Sequence, residues 1–523
     1  MSKKLGKFGD KKNMGKGKQI SINLITQLIV FVLNLEISFF LTPFVIEHIG
    51  KDVYGFVSLA NNFTSYVSVF TVALNGILSR YVTIAFNRKD YRSASKYLSS
   101  VLFANCIIML LLMPISIIFV ANLGKFINLP QGFELDVKFL FLLTFVSFLI
   151  NLPGCCFNTA TYATNRLDKS NLCNLFSSIL RITVILALLM IVSPHVWYVG
   201  LGALLSTLFM IFMNIRYKNQ LMPQVKISIR YFDWGAVKEL LGVGIWNSIN
   251  QLTQLLMTGL DLIIANLFIG VMSMNLLSYA KMIPTQLLSL ISMIASLFAP
   301  LMTMAYASNN MKEFVRETDF SIKLCGFLCS VPVVGLVIFG EDFFGLWLRA
   351  LTAEEVHTVA ILSILTILPQ FFSVYIYPLY SVNTITTKLR VPVLVSLVLG
   401  IVNVVLVFIL VQVTNLGVFA VAGVSTFLAI FRILLFVPIY AAYSIQVPYR
   451  TFYKPLIRGF ASSLVMTIAF IGIRSVITIN NWMIFFLTCI LAGLVGYVIG
   501  FGIVFRKDER QKVFKVIRSK FRR

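Results

Sequence analysis

The chain alternates long apolar runs with short polar segments in which Lys and Arg collect. A helix needs roughly 20 mostly apolar residues to cross about 30 Å of bilayer hydrocarbon. By that measure the pattern predicts fourteen spans, at 19–42, 53–78, 98–120, 138–160, 173–193, 196–215, 241–270, 274–305, 319–340, 357–380, 391–413, 416–440, 456–478 and 481–504. In lipid every backbone amide must be paired internally, which leaves helical bundles or closed barrels. Barrel strands would alternate apolar and polar residues over about ten positions, and these runs are longer and continuously apolar. The expected fold class is an all-α membrane protein.

The basic residues orient it. With the N-terminus inside, 36 of the 44 Lys and Arg fall in inner segments. Four lie outside (Lys51, Lys125, Lys138, Arg349) and four within spans (Arg181, Lys281, Arg432, Arg474). Cytoplasmic loops carry such an excess, so both termini are expected in the cytoplasm and the membrane is expected to be the cytoplasmic one.

Composition agrees. Apolar residues make up 58% of the 523 and charged residues 12%, with a mean hydropathy of +0.89, too little polar surface for a soluble domain of this length. The net charge of +24 belongs to membrane flanks that attract anionic lipid, and no nucleic-acid partner is expected. No cleavable signal is expected, because the run after the lysine-rich residues 1–18 is long enough to span. The seven cysteines all sit in apolar runs and fit neither a disulfide framework nor a zinc spacing. The tail 506–523 alternates basic and apolar residues as an interfacial amphipathic helix would.

The two halves repeat at an offset of 220. Ile49-Gly50 and Ser58-Leu59-Ala60 align with Ile269-Gly270 and Ser278-Tyr279-Ala280, and Arg92 and Lys96 align with Lys312 and Arg316. Near offset 216–218, Leu152-Pro153 and Asn165 match Leu368-Pro369 and Asn383. Spans 1–6 and 7–12 therefore read as two parallel six-helix repeats, forming two lobes, with a C-terminal helix pair outside them. The expected organisation is a basic tail at 1–18, an N-lobe at 19–215, a cytoplasmic linker at 216–240, a C-lobe at 241–440, the last two spans at 456–504 and a basic tail at 505–523.

A charge at the bilayer centre is costly and usually faces a cavity or a partner. Arg181 and Arg474 lie where snorkelling to the interface accounts for them. Glu36, Asp261 and Lys281 sit instead on the first and second spans of the repeats, where a central cleft is expected. Asn61, Asn250 and Gln254 add polar groups to those helices. Fixed cations suit an anionic substrate, so Lys281 and Arg80, with Arg432, are the expected phosphate ligands. Glu36 and Asp261 are the expected sites for a coupling proton or sodium ion. A buried Asp261–Lys281 pair that only stabilises the bundle is the other reading. Pro43, Pro114, Pro153, Pro284, Pro332, Pro369 and Pro378 could each break a helix.

No G-x-x-x-x-G-K-[ST] is present, so no nucleotide motor is encoded. No metal spacing or cofactor motif appears, and the outer loops near 121–137 and 341–356 are too short for a catalytic ectodomain.

The stretch from Gly50 to Ala60, with Leu74-Asn75-Gly76-Ile77-Leu78-Ser79-Arg80-Tyr81, resembles the opening of the bacterial polysaccharide flippases. Their superfamily also holds the multidrug/toxin extruders and the peptidoglycan-precursor flippase. The resemblance runs the length of the chain. It implies two six-helix lobes around a cationic cavity, and export of undecaprenyl-diphosphate-linked oligosaccharide for surface polysaccharide. Lipid-linked oligosaccharide, membrane lipid and polysaccharide assembly machinery are then the expected partners. Tyr279-Ala280-Lys281 with Pro284 is similar to a stretch where the superfamily often carries a basic residue, which favours Lys281 as a diphosphate ligand. Fourteen spans resemble the peptidoglycan-precursor flippase, whose last two spans help accommodate the lipid tail. The first span here has Glu36 in place of that carrier's basic residue. The rival expectations are a cation-coupled multidrug exporter of the same superfamily and, as an enzyme, a glycan polymerase or ligase.

Overall fold

The computed structural model describes residues 26–510 apart from 28, 34, 36–38, 309 and 508. Among the described residues, thirteen helices are long and apolar enough to cross a membrane, and they match predicted spans 2–14 in order. Most of the first predicted span lies outside the described residues. A shorter apolar helix, Phe39–Ile49 (α1), continues past that span's expected end. The thirteen are Lys51–Asn87 (α2), Tyr91–Ala121 (α3), Glu134–Ala163 (α4), Leu167–Ile191 (α5), Trp197–Leu221 (α6), Trp234–Ile269 (α7), Val271–Tyr306 (α8), Met311–Trp347 (α9), Ala353–Ile376 (α10), Arg390–Val413 (α11), Val418–Ser444 (α12), Arg450–Val476 (α13) and Trp482–Val504 (α14).

Several helices outrun their apolar cores. The 37 residues of α2 rise roughly 55 Å at 1.5 Å each, so its polar end from Ser79 to Asn87 stays helical beyond hydrocarbon depth. Helix starts repeat at the offset read from the sequence. Gly50 and Gly270 cap α2 and α8, with φ of 104° and 138°, a region closed to most side chains. Asp90 and Asn310 cap α3 and α9 by accepting from the amides of Ser93 and Glu313 at 3.0 and 3.1 Å. Of the prolines, Pro114, Pro284, Pro332 and Pro369 stay inside helices. Pro153 precedes a 3-10 stretch at Cys155–Asn158, and Pro378 opens a new helical segment, Pro378–Ile385.

The chain forms two compact units, Met1–Leu255 and Leu256–Arg523. The division falls inside α7, where α geometry gives way to a π-helical stretch at Leu255–Gly259.

In the first unit, the N-terminal half of α7 lies hard against α2. A Cβ on Gly244 would collide with the Ala73 backbone, and the Ser248 hydroxyl donates to the Val69 carbonyl. Small residues allow this approach, as they do between membrane helices generally. Leu74, Leu78, Leu98, Val101, Val237 and Leu240 fill the core beside it. The segment from Met222 to Asp233 is strapped along the start of α3. Its amides at Lys226, Ser228 and Asp233 donate to the hydroxyls of Ser95, Ser99 and Ser100 at 2.9, 3.3 and 3.0 Å. Lys96 pairs with Asp233, and Met222 and Val225 are buried.

In the second unit, the Tyr375 ring of α10 fits between Gly326 of α9 and Gly459 of α13, where any Cβ would strike it. Its hydroxyl meets Ser463 at 2.9 Å. Helices α13 and α14 join α9 through Val331, Val334, Phe339, Met466, Phe470 and Phe485. Their other faces expose Ile468, Met483, Leu494 and Val498, as suits helices that meet lipid. After α14, the Lys323 ammonium of α9 is buried between Asp319 and Glu509 at 2.6 and 2.7 Å.

Candidate functional site

The second half of α7 is irregular. The π-helical stretch Leu255–Gly259 is followed by one α-turn, Asp261–Ile264, and a second π stretch, Ala265–Ile269. A π-turn lengthens the hydrogen-bonding step and frees carbonyls, and π-bulges are frequent at functional sites. In a membrane interior an unpaired carbonyl costs several kcal/mol.

Side chains take up three successive carbonyls here. The Asn403 amide of α11 donates to the Leu256 and Met257 oxygens at 3.0 and 3.2 Å. The Lys281 ammonium of α8 donates to the Thr258 oxygen at 3.1 Å and pairs with the Asp261 carboxylate. The Ser425 hydroxyl of α12 lies 3.4 Å from Asp261 Oδ1 and 3.2 Å from Asn403 Oδ1. Four helices thus meet at one polar cluster, all within the second unit. The Asp261 side chain is 2% exposed and that of Lys281 19%. The ammonium therefore stays within reach of solvent or a ligand, and the carboxylate does not. A buried carboxylate without its cation would be strongly unfavourable.

The pair has no counterpart in the first unit. At the 220-residue offset, Lys281 corresponds to Asn61 and Asp261 to Leu41. Asn61 is exposed on α2, and its carbonyl accepts from Thr64 and Ser65 at 2.8 and 3.1 Å. Asn250 and Gln254 are exposed on the N-terminal half of α7, and Arg80 is exposed on the polar end of α2. Arg432 does not join the cluster around Lys281. It begins a further π stretch, Arg432–Phe436, in α12 and donates from Nη1 to Ser396 of α11 at 3.0 Å. Its Nε is buried without a hydrogen-bond partner among the described residues. Glu36 lies outside the described residues.

Sequence reasoning missed Asn403 and Ser425. Each is a polar residue within a strongly apolar span, the signal that marks an interhelical hydrogen bond or a functional group in a membrane helix. Two other sets of charges within predicted spans or beside them stand apart from this site. Arg474 of α13 pairs with Glu341 and Asp342 at 3.1 and 2.9 Å, and His357 meets Glu341 at 2.8 Å. Arg181 keeps its Nε buried without a hydrogen-bond partner among the described residues.

No family model matches the chain. It is similar to EpsK, an uncharacterised membrane protein of Bacillus subtilis (strain 168), with 28% identity over 504 residues, covering 96% of this chain and 98% of that one. Among solved structures it resembles an inward-facing multidrug resistance MATE transporter of the MOP superfamily, with a TM-score of 0.62 and 15% identity over 82% of this chain and 99% of that one. It also resembles the lipid II flippase MurJ in an inward closed conformation, with a TM-score of 0.61 and 18% identity over 90% of this chain and 98% of that one.

Proposed function

From a fold of the MOP transporter type, we propose that this protein is a flippase for a lipid-linked oligosaccharide, working by alternating access. The observation that carries this reading is the extent of the likeness. The lipid II flippase covers 90% of the chain and the MATE transporter 82%. That difference favours a carrier whose substrate has a long lipid tail. Helices α13 and α14, packed on α9 with apolar outer faces, give the second unit a surface on which a polyprenyl chain can stay in lipid.

In this reading the basic loops face the cytoplasm, and the diphosphate-linked glycan enters from that side. The Lys281 ammonium is the group that meets the diphosphate, with Arg80 and Arg432 as further cationic positions. Asn61, Asn250 and Gln254 offer hydrogen bonds to sugar hydroxyls. Ammonium and guanidinium groups hold phosphate oxygens through charge-assisted hydrogen bonds, and a diphosphate would compete with Asp261 for Lys281. Once Lys281 has turned to substrate, Asp261 needs another cation, so a proton or sodium ion at Asp261, or at Glu36, would accompany the cycle. The glycan crosses unchanged, because transport requires positioning and no bond chemistry. Polysaccharide assembly enzymes would supply the substrate and consume the product.

Deletion of the gene, with lipid-linked oligosaccharide scored by a membrane-impermeant probe of the outer leaflet, tests the proposal. Intact repeat units should accumulate on the inner leaflet, with rescue by wild type and not by Lys281→Ala. Normal outer-leaflet display with raised drug sensitivity would overturn the reading in favour of the multidrug exporter, and altered glycan chain length would point to a polymerase.

A further inference from the structure

In the long helices of the second unit, Lys281, Lys323 and Arg474 each meet a carboxylate. Arg432, midway along α12, meets none among the described residues. Its Nη1 donates to Ser396 and its Nε is buried without a partner, so the Nε edge of the guanidinium is left open. A charge at such a depth usually faces a cavity or a ligand. Aromatic rings lie beside it. Phe436 ends the π stretch that Arg432 begins, and Tyr440 follows one turn later. The Phe436 and Tyr440 rings are nearly parallel, with centres 5.4 Å apart and planes at 15°. Tyr377, at the end of α10, is within electrostatic reach of Arg432, and its ring meets that of Tyr380 at 5.3 Å. Tyr377, Tyr380 and Phe436 rest on the buried core of the unit and stay partly uncovered, as does Tyr440.

We propose that Arg432, Phe436 and Tyr440, with Tyr377 beside them, form a subsite for one sugar ring of the transported glycan. The faces of aromatic rings are electron-rich, and they suit the C–H face of a pyranose, whose carbon-bound hydrogens are slightly positive. A guanidinium offers donors in a fixed fork and no acceptor, which suits the hydroxyl and ring oxygens at the pyranose edge. Rings alone would also hold an organic cation, but the fixed charge of Arg432 repels one. A hydrocarbon chain would cover the rings and leave the guanidinium unsatisfied. The lipid-facing side of α12 is a different row, Phe427, Phe431, Leu435, Ile439 and Tyr443, each at least 47% exposed. Phe436 and Tyr440 lie off that row, which separates them from an aromatic belt at the membrane interface.

The subsite rests on the flippase reading and adds to it a place for sugar in the second unit, apart from the diphosphate at Lys281. It requires no net charge on the glycan. It concerns how the glycan is held, so it can fail while that reading stands.

Binding to detergent-purified full-length protein, measured by microscale thermophoresis, tests it with two probes. One is lipid-linked oligosaccharide extracted from the deletion strain. The other is undecaprenyl diphosphate, which has the tail and the diphosphate without sugar. Wild type should bind the glycan-bearing probe about tenfold more tightly than the bare one. Phe436→Leu and Tyr440→Leu, made separately so that one remains if the other does not fold, should lose most of that margin and keep their affinity for undecaprenyl diphosphate. Tyr440→Phe, which keeps the ring, should retain the margin. A margin unchanged in the leucine variants would overturn the subsite and leave the flippase reading intact. Equal weakening toward both probes would overturn it too, because the rings would then serve the fold or the lipid tail. So would wild type that binds the two probes equally. Wild type that binds neither probe would sink the flippase reading, and the subsite with it.

Discussion

Asn403 of α11 bridges two consecutive carbonyls of α7, its amide nitrogen 3.0 Å from the Leu256 oxygen and 3.2 Å from that of Met257. One side chain therefore gives a donor to two carbonyls of the π-helical stretch. Asn403→Leu keeps the volume and removes the donor, leaving both carbonyls without it in an apolar setting. A loss of about 1–3 kcal/mol is expected, read as a lower melting temperature in detergent. An unchanged melting temperature would mean that α7 re-forms a regular helix when the amide is absent.

Lys281 and Asp261 should respond unequally to removal. Lys281→Ala strands a carboxylate that is 2% exposed, at a cost of about 3–5 kcal/mol when no cation replaces the ammonium. Asp261→Asn leaves an ammonium that is 19% exposed and can turn toward water, so its cost should be smaller. The double variant Asp261→Asn with Lys281→Met should recover most of the loss. Melting curves in choline chloride for the three proteins give the ordering. Equal losses from the two single changes would mean that both charges are equally cut off from solvent.

Gly244 limits how close α2 and α7 can come. A side chain there meets the backbone of Ala73, which cannot move aside as a flexible side chain would. Gly244→Leu should push the helices apart and destabilise the first unit by about 1–3 kcal/mol or more. Gly242, with nothing within 4 Å of its would-be Cβ, is the control. Melting temperatures of Gly244→Leu and Gly242→Leu should differ clearly, and equal values would show that this packing tolerates bulk.

The Lys96–Asp233 pair gives the strap a pH dependence with a definite sign. The Lys96 ammonium, then the Gly235 amide that donates to Asp233 at 2.7 Å, hold this carboxyl below its ordinary value. A carboxyl lowered on folding contributes stability above its unfolded value of about 3.9, and that contribution fades as pH falls through the folded value. Cleavage by pepsin within residues 222–233 should therefore rise as the pH is taken below about 4. In Asp233→Asn, which keeps a capping oxygen without the charge, that acid dependence should be flattened. An identical rise in both proteins would assign the acid sensitivity to other groups.

Much of the fold was legible because bilayer thickness imposes a length on each apolar run. Spans 2–14 follow from it, while the repeat follows from residue matches at a fixed offset, among them Gly50 and Gly270, which recur with positive φ at corresponding helix starts. The overshoot of α2 past residue 78 was not legible, since hydropathy marks where lipid ends and not where a helix does. The π stretches were hidden for a different reason. They change backbone hydrogen-bond partners by one residue and leave no mark on apolar periodicity. Asp261 and Lys281 stand out as charges in apolar spans, and a buried pair between them, one of the two readings the sequence offers, is what α7 and α8 form. Asn403 and Ser425 do not stand out because uncharged polar residues are common in membrane helices, and their task shows only when Asn403 is seen against two α7 carbonyls and Ser425 against the Asp261 carboxylate.

The strap from Met222 to Asp233 separates covalent continuity from structural continuity. Pro223 and Gln224 form an exposed turn, while everything after them is held to α3 by serine hydroxyls, an ion pair and the buried Val225. A chain nicked at that turn would keep the same neighbours on both sides of the cut. The polypeptide could thus be supplied as two fragments that meet again through their own complementary surfaces, with the peptide bond between residues 223 and 224 serving delivery more than architecture.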